Sequence, residues 1–185
     1  YSFDLENWVD YRTDTNPGEL YIPVIPQAGR KGMYFRVLVP GKGYSDNIVG
    51  YRLLDVPTGR SLLSNPLAKG DNTLPTLLPG GPAKLTVSTW DSDSASWKAS
   101  TFGDAWSDAG LVVAPGQAAL FENKSVDRVT LTFVGEVVQG SLSTTVPSGE
   151  SYHAATLPIA GGLATNFGFP TANGLQVSLL DNAIG

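Results

Sequence analysis

The sequence predicts an all-β chain, an antiparallel β-sandwich or β-roll with an internal duplication of about ninety residues whose second copy is truncated. Three observations carry this expectation. Every long apolar stretch alternates with the period of two that puts successive side chains on opposite faces of a strand, and none keeps helical spacing. Glycine and proline supply 21 and 13 of the 185 residues, which suits many turns between short strands and is unfavourable inside helices. Finally, several short motifs recur at one constant offset.

Followed along the chain, the alternation places strands near Glu19 to Ile25, Gly32 to Val39, Ile48 to Val56, Lys84 to Trp90, Ser96 to Phe102, Ala118 to Phe121 and Val126 to Val138. Weaker patterns mark Ser61 to Ser64, Ser151 to Thr156 and Leu175 to Leu180. Turn residues separate them at Asn16-Pro17-Gly18, Pro57-Thr58-Gly59, Pro79-Gly80-Gly81-Pro82, Pro115-Gly116 and Pro147-Ser148-Gly149. Only Asp71 to Leu78 and Gly162 to Phe167 suit a helical turn. The stretch Pro40 to Asp46, bearing glycine, proline and lysine between apolar strands, reads as a boundary between a short amino-terminal piece, 1–40, and the main body.

That body contains the repeat. Val56-Pro57-Thr58-Gly59 returns as Val146-Pro147-Ser148-Gly149, and Leu85-Thr86-Val87-Ser88 with Asp91 returns as Leu175-Gln176-Val177-Ser178 with Asp181, both at an offset of 90. Leu78-Pro79 matches Phe169-Pro170 one residue out of step. The first repeat spans 47–140 and a partial second repeat spans 141–185, which stops short of anything matching Trp97 to Val138.

Charge and composition narrow the function. A formal net charge of -5 with scattered basic residues disfavours nucleic acid, which needs clustered Lys and Arg against phosphate. With no cysteine there are no disulfides, thiolate chemistry or cysteine zinc sites. No run of eighteen or more apolar residues suggests a membrane span, and no basic-then-apolar pattern in these residues reads as a signal peptide. Because the chain begins at Tyr1 rather than Met, it is expected to be a processed product or a fragment.

Several of these segments also carry a resemblance. Ile48-Val49-Gly50-Tyr51, Leu62-Leu63-Ser64-Asn65-Pro66-Leu67, the loop from Asp71-Asn72-Thr73-Leu74 to Leu78-Pro79, Trp106 with Ala114-Pro115-Gly116-Gln117, and Thr132-Phe133-Val134-Gly135-Glu136-Val137-Val138-Gln139-Gly140 resemble a family of exported β-rich repeat proteins abundant in verrucomicrobial bacteria. Pro158-Ile159-Ala160-Gly161-Gly162 and Gly168-Phe169-Pro170 with Gly174 resemble the opening of its second copy. The front piece is similar to the end of a small β-sandwich module of such proteins, through Tyr1-Ser2-Phe3-Asp4-Leu5-Glu6-Asn7-Trp8 and Tyr34-Phe35-Arg36-Val37. The resemblance implies export and β structure but no particular activity.

Candidate chemistry is sparse. His153, the only histidine, lies in Ser151-Tyr152-His153 beside Glu150, but no Gly-x-Ser-x-Gly elbow accompanies it, so it reads as structural and no catalytic residue is assigned. One histidine without cysteine does not supply a transition-metal set, and no cofactor is expected. Asp91-Ser92-Asp93-Ser94 alternates oxygen ligands like a calcium loop, making Asp91 and Asp93 candidate calcium ligands with Asp104 and Asp108 as possible neighbours, although the same residues suit a hairpin turn. None of the 17 acids is flagged by motif as a glycosidase pair. Trp90, Trp97 and Trp106 are either core residues or sugar-stacking platforms. Of these, Trp97, which follows the polar turn, is the member expected at the surface, and Trp97 and Trp106 are the candidate carbohydrate contacts. Asn123-Lys124-Ser125 reads as a turn.

A truncated sandwich leaves sheet edges and apolar faces to be covered. Phe3, Leu5, Val177 and Leu179 are therefore expected to mark assembly edges without partners inside the chain. The function expected is a non-enzymatic extracellular or cell-surface structural or adhesion protein, self-assembling or completed by strand addition from other copies or flanking domains. A carbohydrate-binding module that takes polysaccharide is the alternative, and a glycoside hydrolase the third reading.

Overall fold

The computed structural model describes residues 1–10, 30–159, 161–169 and 174–178, and over them the chain is an all-β protein. The strands run in order β1 (Gly32–Phe35), β2 (Leu38–Val39), β3 (Gly43–Tyr44), β4 (Val49–Val56), β5 (Gly59–Ser64), β6 (Leu85–Asp91), β7 (Ser96–Thr101), β8 (Ala118–Asn123) and β9 (Val129–Glu136), with a single-turn helix α1 (Leu74–Leu77) between β5 and β6. All pairings are antiparallel. One sheet has the order β1-β4-β9 and another β5-β8-β6-β7, while β2 and β3 form a separate ribbon. No helix among the described residues is long and apolar enough to cross a membrane.

The chain passes from one sheet to the other at the Val56-Pro57-Thr58-Gly59 turn. There Gly59 takes a φ of +94°, a conformation open to glycine because it has no Cβ. The alternation seen in the sequence then assembles the core. Val56, Leu131 and Phe133 from the first sheet meet Leu85, Val87, Ala119 and Phe121 from the second, and Leu74, Leu77, Trp106, Leu111 and Val113 of the connecting loops complete the cluster. Each large apolar side chain buried in this way contributes about 1.5–3 kcal/mol. A second cluster of Tyr34, Leu67 and Val137, against which Leu5, Trp8, Ile48 and Leu157 pack, ties the amino-terminal residues to the sandwich.

Two buried asparagines fasten the loops. Asn123 donates from Nδ2 to the carbonyls of Val56 (3.1 Å) and Asp127 (2.8 Å) and accepts from the Ser125 N–H (3.0 Å) and hydroxyl (2.6 Å), so the buried Asn123 anchors the turn that follows it. Asn65 donates to the Val113 carbonyl at 2.9 Å and accepts from the Leu67 N–H at 3.1 Å, locking the loop after β5 onto the segment before β8.

Two glycines in strand interiors have steric reasons. Gly50 of β4 and Gly135 of β9 are cross-strand partners. A Cβ on Gly50 would lie 2.5 Å from the Met33 carbonyl oxygen and 2.7 Å from the Tyr34 ring, and one on Gly135 would overlap the Ala68 carbonyl oxygen. The sheet is closed at this row by Tyr34 on one side and the Leu67-Ala68 backbone on the other.

The structure departs from the expected elements in several places. The strand expected over Gly32 to Val39 ends at Phe35, because Val37 leaves the ladder to bond Ser45: its N–H donates to the Ser45 hydroxyl (3.0 Å) and its carbonyl accepts from the Ser45 N–H (2.7 Å). Arg36, at the break, lies between the rings of Trp8 and Tyr44, 4.1 and 3.8 Å from their centroids. The expected boundary Pro40 to Asp46 is the hairpin from β2 to β3, and β1 before it shares a sheet with β4 after it. The strand expected from Val126 starts at Val129, since Val126 is 91% exposed at the tip of the β8–β9 turn.

Asp71 to Leu78 contains α1, and Gly162 to Phe167 forms a turn closed by the Asn166 N–H on the Gly162 carbonyl (2.9 Å). Ser151 to Thr156 is reduced to one bridge between His153 and Gln117. Leu175 to Ser178 forms no strand, and the remainder of that expected element, like Glu19 to Ile25, lies outside the described residues. Gly149, like Gly59, takes a left-handed φ, of +89°.

Candidate functional site

The three-stranded sheet is capped at both margins. Ser2 bridges to Tyr34 of β1 through two backbone bonds of 2.8 Å, and Ala68 bridges to Glu136 of β9 through two more of 2.8 Å. In the four-stranded sheet, β7 lies at one margin and is closed only at one end. Thr101 donates its N–H to the Ser107 hydroxyl and accepts from the Ser107 N–H, both at 3.0 Å. Backbone groups in an antiparallel pair turn alternately toward and away from the neighbour. With Thr101 facing away from β6, Ala99 and Trp97 face away too, and among the described residues their N–H and C=O groups have no partner.

Directly over this open stretch sits an aromatic corner. Trp90 of β6 and Trp97 of β7 are register partners, with ring centroids 5.4 Å apart and planes at 66°. Tyr152 completes the group, 5.7 Å from Trp90 and 4.7 Å from Trp97. The residues after Gly149 hold it there: Trp90 donates from Nε1 to the Glu150 carbonyl at 2.9 Å, Ala154 donates to the Gly116 carbonyl at 3.0 Å, and the Tyr152 hydroxyl donates to the Glu150 carboxylate. That last bond raises the Tyr152 pKa, with burial adding to it.

The candidate sugar contacts are separated by the fold. Trp97 is half-buried in the aromatic corner, whereas Trp106 is 6% exposed, donates from Nε1 to the Leu78 carbonyl at 2.9 Å and packs edge-on against Phe102 in the core. The tilt between Trp90 and Trp97 leaves no flat pair of faces for stacking. Tyr152 and Ala99 are not among the candidates the sequence offers, and Trp90 enters there only with Trp97 and Trp106 as a core residue or sugar platform. Trp90 and Trp97 were visible as neighbours across a predicted hairpin, but no local pattern brings in Tyr152.

The candidate calcium residues build the turn between β6 and β7. Asp91 accepts the N–H groups of Asp93 (3.0 Å) and Ser94 (3.3 Å) on one oxygen and pairs with Lys98 at 2.6 Å through the other. The Lys98 ammonium first, then these backbone donors, depress the Asp91 pKa to about 2. Asp93 is exposed, and Asp108 caps the Gly110 N–H at 2.9 Å. Among the described residues no three metal-ligating side chains gather. His153 bonds from Nε2 to the Ser151 hydroxyl at 2.9 Å, while the adjacent Glu150 carboxylate is engaged by Tyr152.

The expected assembly edges need correction at the front of the chain. Leu5 packs against the second core cluster, and Phe3 meets the Tyr1 ring edge-on at 5.3 Å with the Arg30 guanidinium 4.4 Å from its centroid, so both have partners within the chain. Leu5 reaches its place through a left-handed φ of +67° inside a loop closed by the Val9 N–H on the Tyr1 carbonyl. Val177 is 49% exposed, and Leu179 lies outside the described residues.

Comparison with known proteins returns no match to a family model, to a curated protein or to a solved structure.

Proposed function

We propose that this chain is a non-enzymatic structural or adhesion module that works outside the cell and joins another copy, or flanking sequence of a longer polypeptide, by strand addition. The observation that carries the reading is the open margin of β7, where the Trp97 and Ala99 backbone groups have no partner among the described residues. Such a margin is a template for main-chain hydrogen bonding, and adjoining side-chain pockets give it selectivity. The aromatic corner supplies apolar surface beside it. Lysine often guards an exposed edge, but Lys98 is drawn back across the hairpin by Asp91. The resemblance to exported repeat proteins supports the extracellular setting.

Ala99→Pro tests the reading. Proline removes the outward N–H without touching the β6–β7 ladder and is tolerated on edge strands. Sedimentation velocity over a range of concentrations should show self-association, or association with the flanking segment, for the native chain and its loss in the variant at nearly unchanged melting temperature. Equal association by both proteins would sink the proposal. A polysaccharide-binding role ranks second on the strength of the Trp90, Trp97 and Tyr152 cluster, and saturable quenching of tryptophan fluorescence by an oligosaccharide would favour it.

A further inference from the structure

The inward face of the three-stranded sheet carries a cation. Val56 and Leu54 of β4 point into the core with their partners Val129 and Leu131, and two residues back the same alternation brings Arg52, opposite Phe133 on β9 and Gly32 on β1, onto this inward face. The absent side chain of Gly32 makes the room: a Cβ there would be 3.0 Å from Cδ of Arg52. Arg52 is half-buried, and among the described residues no carboxylate forms an ion pair with it. The Tyr34 hydroxyl, on the same face, is buried and lies close enough to the guanidinium to interact with it, but it supplies no negative charge.

A guanidinium half-withdrawn from water without a counter-charge is an unfavourable arrangement that an anion relieves. Arg52 opens onto a cleft of about 420 Å³ between the sheets, whose walls include Leu54, Leu62, Leu157 and Ile159 and also His153. His153 is held by its Nε2 bond to the Ser151 hydroxyl. Clefts of several hundred Å³ with apolar walls and few polar groups suit small molecules.

We propose that this cleft binds a small amphipathic carboxylate, its charged end on Arg52 and its hydrocarbon part against the leucines. The guanidinium fork matches a carboxylate through two parallel N–H···O bonds, and the apolar walls exclude water from the pair. The volume suits a ligand of about ten heavy atoms. The site does not depend on the β7 margin, so Ala99→Pro should bind as the native chain does.

The test uses octanoate and, as its neutral counterpart, 1-octanol, titrated calorimetrically into the native chain, Arg52→Gln and Ile159→Trp. Octanoate should bind the native chain about tenfold or more tightly than octanol, the increment expected of a partly buried charge-assisted bond. Arg52→Gln should erase that preference, and Ile159→Trp, which fills the cleft while keeping Arg52, should weaken both ligands at unchanged circular dichroism. No octanoate binding by the native chain, equal binding of the two ligands, or an undiminished preference in folded Arg52→Gln would overturn the assignment. Should Arg52→Gln fail to fold, the native comparison together with Ile159→Trp decides the question.

Discussion

Replacing Gly135 by alanine adds one methyl group at the point where β9 passes under the loop after β5. The new Cβ overlaps the Ala68 carbonyl oxygen and comes within 3.0 Å of its carbon and 3.3 Å of the Leu67 Cβ. The first obstacles are backbone, and they are held in place: Ala68 and Glu136 exchange two hydrogen bonds of 2.8 Å, and Leu67 is fully buried. For the methyl group to fit, residues 67 and 68 must move off the strand. Losing both hydrogen bonds costs about 2 kcal/mol net. Partial exposure of Leu67 adds about 1 kcal/mol, giving about 3 kcal/mol, at the upper end of ordinary overpacking. Urea denaturation reads this directly, and with a slope of about 2 kcal/mol/M the midpoint should fall by about 1.5 M. Gly80→Ala is the control, since a Cβ there meets nothing within 4 Å, and it should be neutral or raise stability by about 0.5 kcal/mol. A loss below about 1 kcal/mol for Gly135→Ala would show that the loop yields cheaply and that the steric account is wrong.

Asn123→Ala takes one donor from each of the Val56 and Asp127 carbonyls and removes the acceptor of the Ser125 N–H, so a loss of about 2–3 kcal/mol is expected in the same denaturation assay. Asp91 has a folded pKa of about 2 against an ordinary 3.8. Its contribution to stability is therefore complete above pH of about 4 and lost as pH falls through about 2. Because the pair is exposed the effect is small, and melting curves of Asp91→Asn should be flatter than the native ones across that window, while parallel curves would refute the assignment. Tyr152→Ala removes the ring contacting both Trp90 and Trp97, and the tryptophan emission should shift to longer wavelength as those indoles meet water.

The sequence by itself determined the strand content and most turns. Period-two alternation and turn residues are local properties, and β4, β5, β6 and β7 fall on the segments they mark. The glycines in Ile48-Val49-Gly50-Tyr51 and Phe133-Val134-Gly135-Glu136 were visible as letters, but their reason is an approach by Tyr34 and Ala68 from far along the chain. Tertiary structure alone decided which margin stays open, because Ser2 and Ala68 cap one sheet while nothing among the described residues pairs with the outward backbone groups of Trp97 and Ala99. It also sent Trp106 into the core and left Trp90 and Trp97 at a surface corner, a distinction that one-dimensional spacing does not contain. Arg52 illustrates the same limit. Its place two residues before Leu54 put it in register with core positions, yet only the pairing of β4 with β1 and β9 and the crossing of residues 153–159 turn that register into a charge beside an apolar cleft. Local pattern fixes the face on which a side chain stands, whereas what it meets there depends on chain segments that only the folded sheets bring together.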